Sequence, residues 1–118
     1  MQFERLSPSG DISQLDGPEP VWIFKHSLTC PVSARAMAQV STFRQRHPGV
    51  RVVLIEVQRE RLAVRAVADH FEVPHASPQV ILALDGTARW TASQFGISAD
   101  ALERSLARVR PTPSSRPA

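Results

Sequence analysis

The chain has 118 residues, 42% apolar, 6% aromatic and 21% charged, a length that suits one domain. No apolar run approaches the roughly 20 residues of a membrane-spanning helix, and the ten prolines and five glycines follow no collagen-like period. Fourteen basic residues against eleven acidic ones give a net charge of +3, and the single cysteine, Cys30, excludes an internal disulfide framework. All the basic residues except Lys25 are arginines. They are interleaved with Asp and Glu along the chain rather than gathered into a stripe, which argues against a nucleic-acid partner. The first twenty residues combine no basic leader with an apolar stretch, so a cytoplasmic protein without membrane association is expected.

In chain order, residues 1–20 mix Pro, Gly, Ser and Asp around Phe3, Leu6, Ile12 and Leu15, the composition of a loose arm that packs one short helix. Val21–Lys25 follows Pro20 and is apolar and β-branched, as a strand would be. After the loop HSLTC, Pro31 stands at a first helical position, and Ala36, Met37, Val40 and Phe43 recur at helical spacing until Arg46-His47-Pro48-Gly49, which predicts a helix over 31–46. Arg51–Val57 reads as a second strand, and Leu62, Ala66, Val67 and Phe71 mark a second helix. Val80–Leu84, the turn signal Asp85-Gly86 and the alternating Thr87–Ala92 form a β-hairpin. Ser98 caps a third helix, with Asp100 and Glu103 in its first turn, Leu102, Leu106 and Val109 on one face, and Ile97 placed to staple onto Leu102.

The order is β-α-β-α-β-β-α: an α/β fold with a four-stranded mixed sheet flanked by three helices. The expected organisation is an arm over 1–20, one domain over 21–110 and a disordered tail over 111–118; the last nine residues, RPTPSSRPA, offer nothing to offset the entropy of ordering.

Chemistry concentrates at Cys30. It directly precedes Pro31, so it lies at a helix N-terminus, where unpaired N–H groups and the helix dipole favour negative charge and the reactive thiolate. A lone cysteine elsewhere is more often an inert buried hydrophobe; the position argues for reactivity. Where a dithiol enzyme has a second cysteine three positions on, this chain has Ser33, which cannot resolve a mixed disulfide, so Cys30 works alone. Thr29 and Ser33 are candidate hydrogen-bond donors to the sulfur or plain caps. Lys25, His26 and His75 can add positive field or acid–base capacity. Arg59 and Arg61, opening the second helix, are candidates for the carboxylates of a small anionic thiol or are solvated surface arginines.

FKHSLTCPVS at 24–33, HASPQVIL at 75–82 and WTASQFGIS at 90–98 together resemble the monothiol bacilliredoxins, thioredoxin-like proteins of bacteria that use bacillithiol. The resemblance covers about residues 20–105. It implies a thioredoxin-like fold with a cis peptide before Pro78, the backbone of Ser77 facing an incoming thiol compound, and Ser93 bordering the thiol groove. Gln94 departs from the family, which often has His there. The implied activity is removal of bacillithiol from S-bacillithiolated client proteins through a Cys30 mixed disulfide. Cys30, Thr29, Pro31 and Ser33 would form the catalytic loop, and Lys25, His26, His75, Ser77, Pro78 and Ser93 the substrate-binding set. Bacillithiol would be the thiol co-substrate, and another low-molecular-weight or protein thiol the regenerant. No metal is expected, since Cys30, His26 and His75 fall short of the usual zinc ligand set. A non-catalytic thiol sensor and a glutaredoxin-like iron–sulfur carrier remain as alternative functions.

Overall fold

The computed structural model describes residues 3–7 and 11–109; the expected tail over 111–118 lies outside them. Strand β1 is Glu4–Arg5, β2 Val21–His26, β3 Arg51–Glu56, β4 Gln79–Leu84 and β5 Thr87–Ser93; helix α1 is Pro31–Arg46, α2 Arg61–Phe71 and α3 Ala99–Val109. The strands form one sheet in the order β1-β3-β2-β4-β5. β1, β3 and β2 run parallel, whereas β4 is antiparallel to β2 and β5 antiparallel to β4.

The sheet has five strands where the sequence predicts four. The extra strand comes from the arm. Glu4 and Arg5 pair with Val53 and Leu54, and Arg51 holds the Glu4 carboxylate through Nε and Nη2 at 3.0 and 2.6 Å. Two residues carry no periodicity, so composition gives no sign of this strand. The arm also supplies Leu6 and Leu15, both buried, and a short 3-10 helix over Ile12–Leu15 that Asp11 caps.

Alternation along the strands sends successive side chains to opposite faces, and each face has its own core. Trp22 and Phe24 of β2, with Val52, Leu54, Val80 and Leu82, pack against Ala36, Val40 and Phe43 of α1 and Leu102 and Leu106 of α3. Val21 and Ile23, with Val53, Ile55, Ile81 and Ala83, pack against Ala63, Val67 and Phe71 of α2 and against Leu6 and Leu15. The β4–β5 turn places Asp85 and Gly86 at φ of 53° and 76°, the two-residue left-handed turn for which Asp-Gly is suited. Ser98 Oγ accepts from the Ala101 N–H at 3.1 Å, and Ile97 and Leu102 share one cluster, the cap and staple expected from the sequence.

One polar contact crosses the first core. Trp22 is 2% exposed, packs 5.3 Å from Phe43 between ring centroids and donates its indole N–H to Ser105 Oγ at 2.9 Å, while that hydroxyl donates to the Leu102 carbonyl. Ser105→Ala strands the buried indole donor, and the expected loss is about 1–3 kcal/mol in urea unfolding. Trp22→Phe in the Ser105→Ala background removes the orphan, so the two changes should be non-additive.

Candidate active site

The site forms where β2 ends and α1 begins. Cys30 is the N-cap residue of α1, with extended backbone (φ −99°, ψ 123°), and its side chain makes no capping bond; Pro31 follows at the first helical position. Pro31 has no N–H to satisfy, and the Ala34 N–H bonds the Cys30 carbonyl at 3.1 Å. The N–H groups of Val32 and Ser33 therefore remain without intrahelical partners at the end of the helix that carries the sulfur. Cys30 is partly exposed, and α1 has no acidic residue in its first turn to compete for that end.

The loop from Ser27 to Cys30 is pinned from two sides. Ser33, fully buried, accepts the Ser27 N–H at 2.8 Å and lies 2.8 Å from His26 Nδ1. From the turn after β3, Gln58 Oε1 accepts the Leu28 N–H at 3.0 Å, and its amide donates to Ser27 Oγ at 2.8 Å and Thr29 Oγ1 at 3.3 Å. Thr29 and Ser33 are thus directed to Gln58, His26 and Ser27. Among the described residues no hydrogen bond joins either hydroxyl to the sulfur. Gln58 was not singled out in the sequence, because nothing in a one-dimensional pattern brings it 30 residues back to the loop.

Next to Gln79, which pairs with Lys25 near the end of β2, the Ser77–Pro78 peptide is cis and Pro78 is buried. Gln94, at φ 54°, donates its side-chain amide to the Ser77 carbonyl at 2.9 Å and its backbone N–H to the Pro78 carbonyl at 3.1 Å. The residue that departs from the family is a structural clamp on the proline loop. Ser93, paired with Gln79 in the β4–β5 ladder, lies directly before it. The Ser77 hydroxyl and Gln79 Oε1 are buried without a hydrogen-bond partner among the described residues.

Lys25 and His26 are adjacent in β2 and so point to opposite faces. His26 belongs to the α1 side, and its burial holds its pKa below the usual value against the opposing pull of Glu56. Lys25, 0% exposed, is on the α2 side, where its Nζ lies 3.1 Å from Nδ1 of His75. An ammonium has no lone pair to accept with, so a charged Lys25 donates to Nδ1 and leaves the His75 proton on Nε2. Partial burial and the Lys25 charge both push the His75 pKa down. His26 thus bonds the start of α1 through Ser33, and His75 bonds Lys25 on the other side of the sheet. Among the described residues no group of three or more His, Cys, Asp or Glu side chains is assembled to hold a metal. Arg59 pairs with Glu56 at 3.6 Å, and Trp90 packs partly buried against the α1-side core. No helix among the described residues is long and apolar enough to cross a membrane.

A family model for the monothiol bacilliredoxin BrxC matches residues 3–102. The chain belongs to the monothiol bacilliredoxin family. Among solved structures, a thioredoxin-fold protein proposed to be an oxidoreductase superposes with a TM-score of 0.79 at 28% identity, covering 87% of this chain and 92% of its own. Thioredoxin f2 of Chlamydomonas reinhardtii gives 0.71 at 14% identity over 94% of this chain and 99% of its own. Mitochondrial thioredoxin 3 of Saccharomyces cerevisiae gives 0.67 at 20% identity over 90% and 94%; the two thioredoxins share the fold. This bacilliredoxin is therefore a thioredoxin-fold thiol-disulfide oxidoreductase, with a four-strand unit extended by β1.

Burial drives the Lys25 pKa down to about 8 from the 10.5 of a free lysine. Between those values the unfolded chain holds a proton that the folded chain has released, so folding stability rises as pH climbs from about 8 to 10.5 and is lowest below 8. Lys25→Met, of similar length and without charge, is expected to unfold at higher urea than the wild type at pH 7. The gap should narrow as the pH approaches 10.5; a gap that is constant with pH would show that Lys25 keeps an unshifted pKa.

Proposed function

We propose that this bacilliredoxin removes bacillithiol from S-bacillithiolated proteins in a monothiol cycle. The observation that carries the reading is the pairing of a partly exposed Cys30 at the α1 N-cap with a serine, Ser33, buried three residues on. The Cys30 thiolate attacks the bacillithiol sulfur of the client's mixed disulfide. A new S–S bond forms between Cys30 and bacillithiol as the client S–S bond breaks, and the client cysteine leaves as thiolate and takes a proton from solvent. A second thiol, free bacillithiol or a cysteine of another protein, then attacks the adduct and returns Cys30 to its reduced form.

Several features support this reading. The free N–H groups at the start of α1 stabilise negative charge at the attacking sulfur. The clamped Ser77–Pro78 segment presents a fixed backbone edge to the incoming thiol compound. Ser33 and Gln58 hold the Ser27 and Leu28 N–H groups and the Ser27 and Thr29 hydroxyl oxygens in place, which fixes the loop that carries the sulfur. A cytoplasmic setting, where protein thiols are kept reduced and adducts must be reversed, suits the cycle.

The test is intact mass of the protein after incubation with a bacillithiolated client. Wild type should gain one bacillithiol as the client loses it, Cys30→Ser should gain none, and removal of the client adduct by Cys30→Ser at the wild-type rate would overturn the proposal. Ser33→Cys supplies a resolving thiol at the first turn of α1. In that variant the adduct should give way to an internal disulfide, two mass units below the reduced protein, with bacillithiol released and no external thiol needed.

A further inference from the structure

Beside the Cys30 loop, on the α2 side, lies a cleft of about 490 Å³ lined by Val57, Gln58, Arg61, Val64, Arg65, Ala68 and His75. Gln58 belongs to the cleft and to the loop at once, since its side chain bonds Ser27, Leu28 and Thr29. The apolar floor is Val57, Val64 and Ala68. The polar lining is cationic or neutral, and no carboxylate contributes to it. Arg61 and Arg65 are one helical turn apart on α2, exposed, and neither guanidinium has an ion-pair or hydrogen-bond partner among the described residues. His75 adds the ring whose Nδ1 is taken by Lys25, which leaves Nε2–H as its available donor.

The neighbouring cleft on the other side of Gln58 makes a useful contrast. It shares Arg61 but includes Glu60, and its Arg5 is already bound to Glu56 and Glu60 at 3.0 and 2.8 Å. Arg59 there pairs with Glu56 at 3.6 Å, so of its three arginines Arg61 alone is without a partner among the described residues. The first cleft has two guanidinium groups free to make bidentate bonds, the geometry that matches carboxylates.

We propose that the Arg61–Arg65–His75 cleft binds the carboxylate-bearing end of the small thiol, placing its sulfur at Cys30. This rests on the de-thiolation reading above and adds to it the residues that select an acidic thiol over a neutral one. Arg61, weighed from the sequence for this role, takes part; Arg59 is turned toward Glu56 and does not. Gln58 couples the two ends of the ligand's path, since it borders the cleft and holds the loop that carries the sulfur.

The experiment measures second-order rate constants for adduct formation at Cys30, by quenched intact mass, with two acidic disulfides (oxidised bacillithiol and oxidised glutathione) and with neutral hydroxyethyl disulfide. The readout is the acidic-to-neutral rate ratio, which cancels changes in folding or in intrinsic thiol reactivity. Arg61→Gln with Arg65→Gln should lower the ratio about tenfold or more. Arg104→Gln, which removes a positive charge on α3, should leave the ratio at the wild-type value and so exclude a diffuse field. An unchanged ratio in the double variant, or an equal drop in the Arg104→Gln control, overturns the proposal. Which acidic disulfide the wild type prefers tests the bacillithiol assignment separately: a preference for glutathione would remove that assignment while leaving the arginine-dependent ratio to decide the cleft.

Discussion

The position of β2 governs everything else in this molecule. Val21 through Lys25 are buried without interruption, because the strand is paired on both edges, by β3 and β4, and covered on both faces. A strand so enclosed has no freedom of register: a slip of one residue would exchange the Trp22–Phe24 face with the Val21–Ile23 face and empty both cores. The fixed register ends in Lys25 and His26, which the pleat must send to opposite sides, and the chain then has four residues, 27 to 30, before Pro31 starts α1. The placement of the reactive sulfur follows from that constraint.

What converts a short exposed loop into a defined site is a set of neutral hydrogen bonds. Ser33, Gln58 and Gln94 each use a side chain to satisfy backbone groups of a different loop segment: Ser27, Leu28 and Ser77. A loop near the surface with unmet N–H and C=O groups would sample many conformations or draw in water. Here the cysteine loop and the proline loop are each held by side chains from other elements. A nucleophile must be within about half an ångström of its productive position to gain from proximity, and neutral anchors achieve this without adding a charge that would compete with the thiolate.

Much of the fold was legible because it depends on local rules. Helix α1 spans Pro31–Arg46 as its proline start and its Ala36, Val40, Phe43 stripe require, and the Asp85-Gly86 turn and Ser98 cap are where their chemistry places them. Cys30 was legible as a helix-start cysteine. The interactions that escaped all join residues far apart in sequence. Strand β1 has two residues and is fixed by Arg51, 47 positions from Glu4; Gln58 reaches back about 30 positions to the cysteine loop. Thr29 and Ser33 are legible as loop residues, but their partners Gln58, His26 and Ser27 are not, since rotamer and partner are decided by the packed neighbourhood and not by spacing. Gln94 gave no useful signal for a related reason: its function lies in a left-handed backbone conformation and a bond to Ser77.

Lys25 is the residue that stability alone would not retain. Burying an ammonium with one neutral partner is unfavourable compared with an apolar side chain of the same length, and the lowered pKa is the thermodynamic mark of that cost. Its effect is transmitted to His75, the only side chain among the described residues that its Nζ bonds. A charged Lys25 donates to Nδ1, which puts the ring proton on Nε2, and its charge opposes a second positive charge on the ring. A histidine without this partner would switch tautomer and protonate near pH 6.5, so the donor would change as the exchange reaction's own protons come and go. The buried lysine thus costs folding free energy and biases its histidine neighbour toward the neutral Nε2–H form.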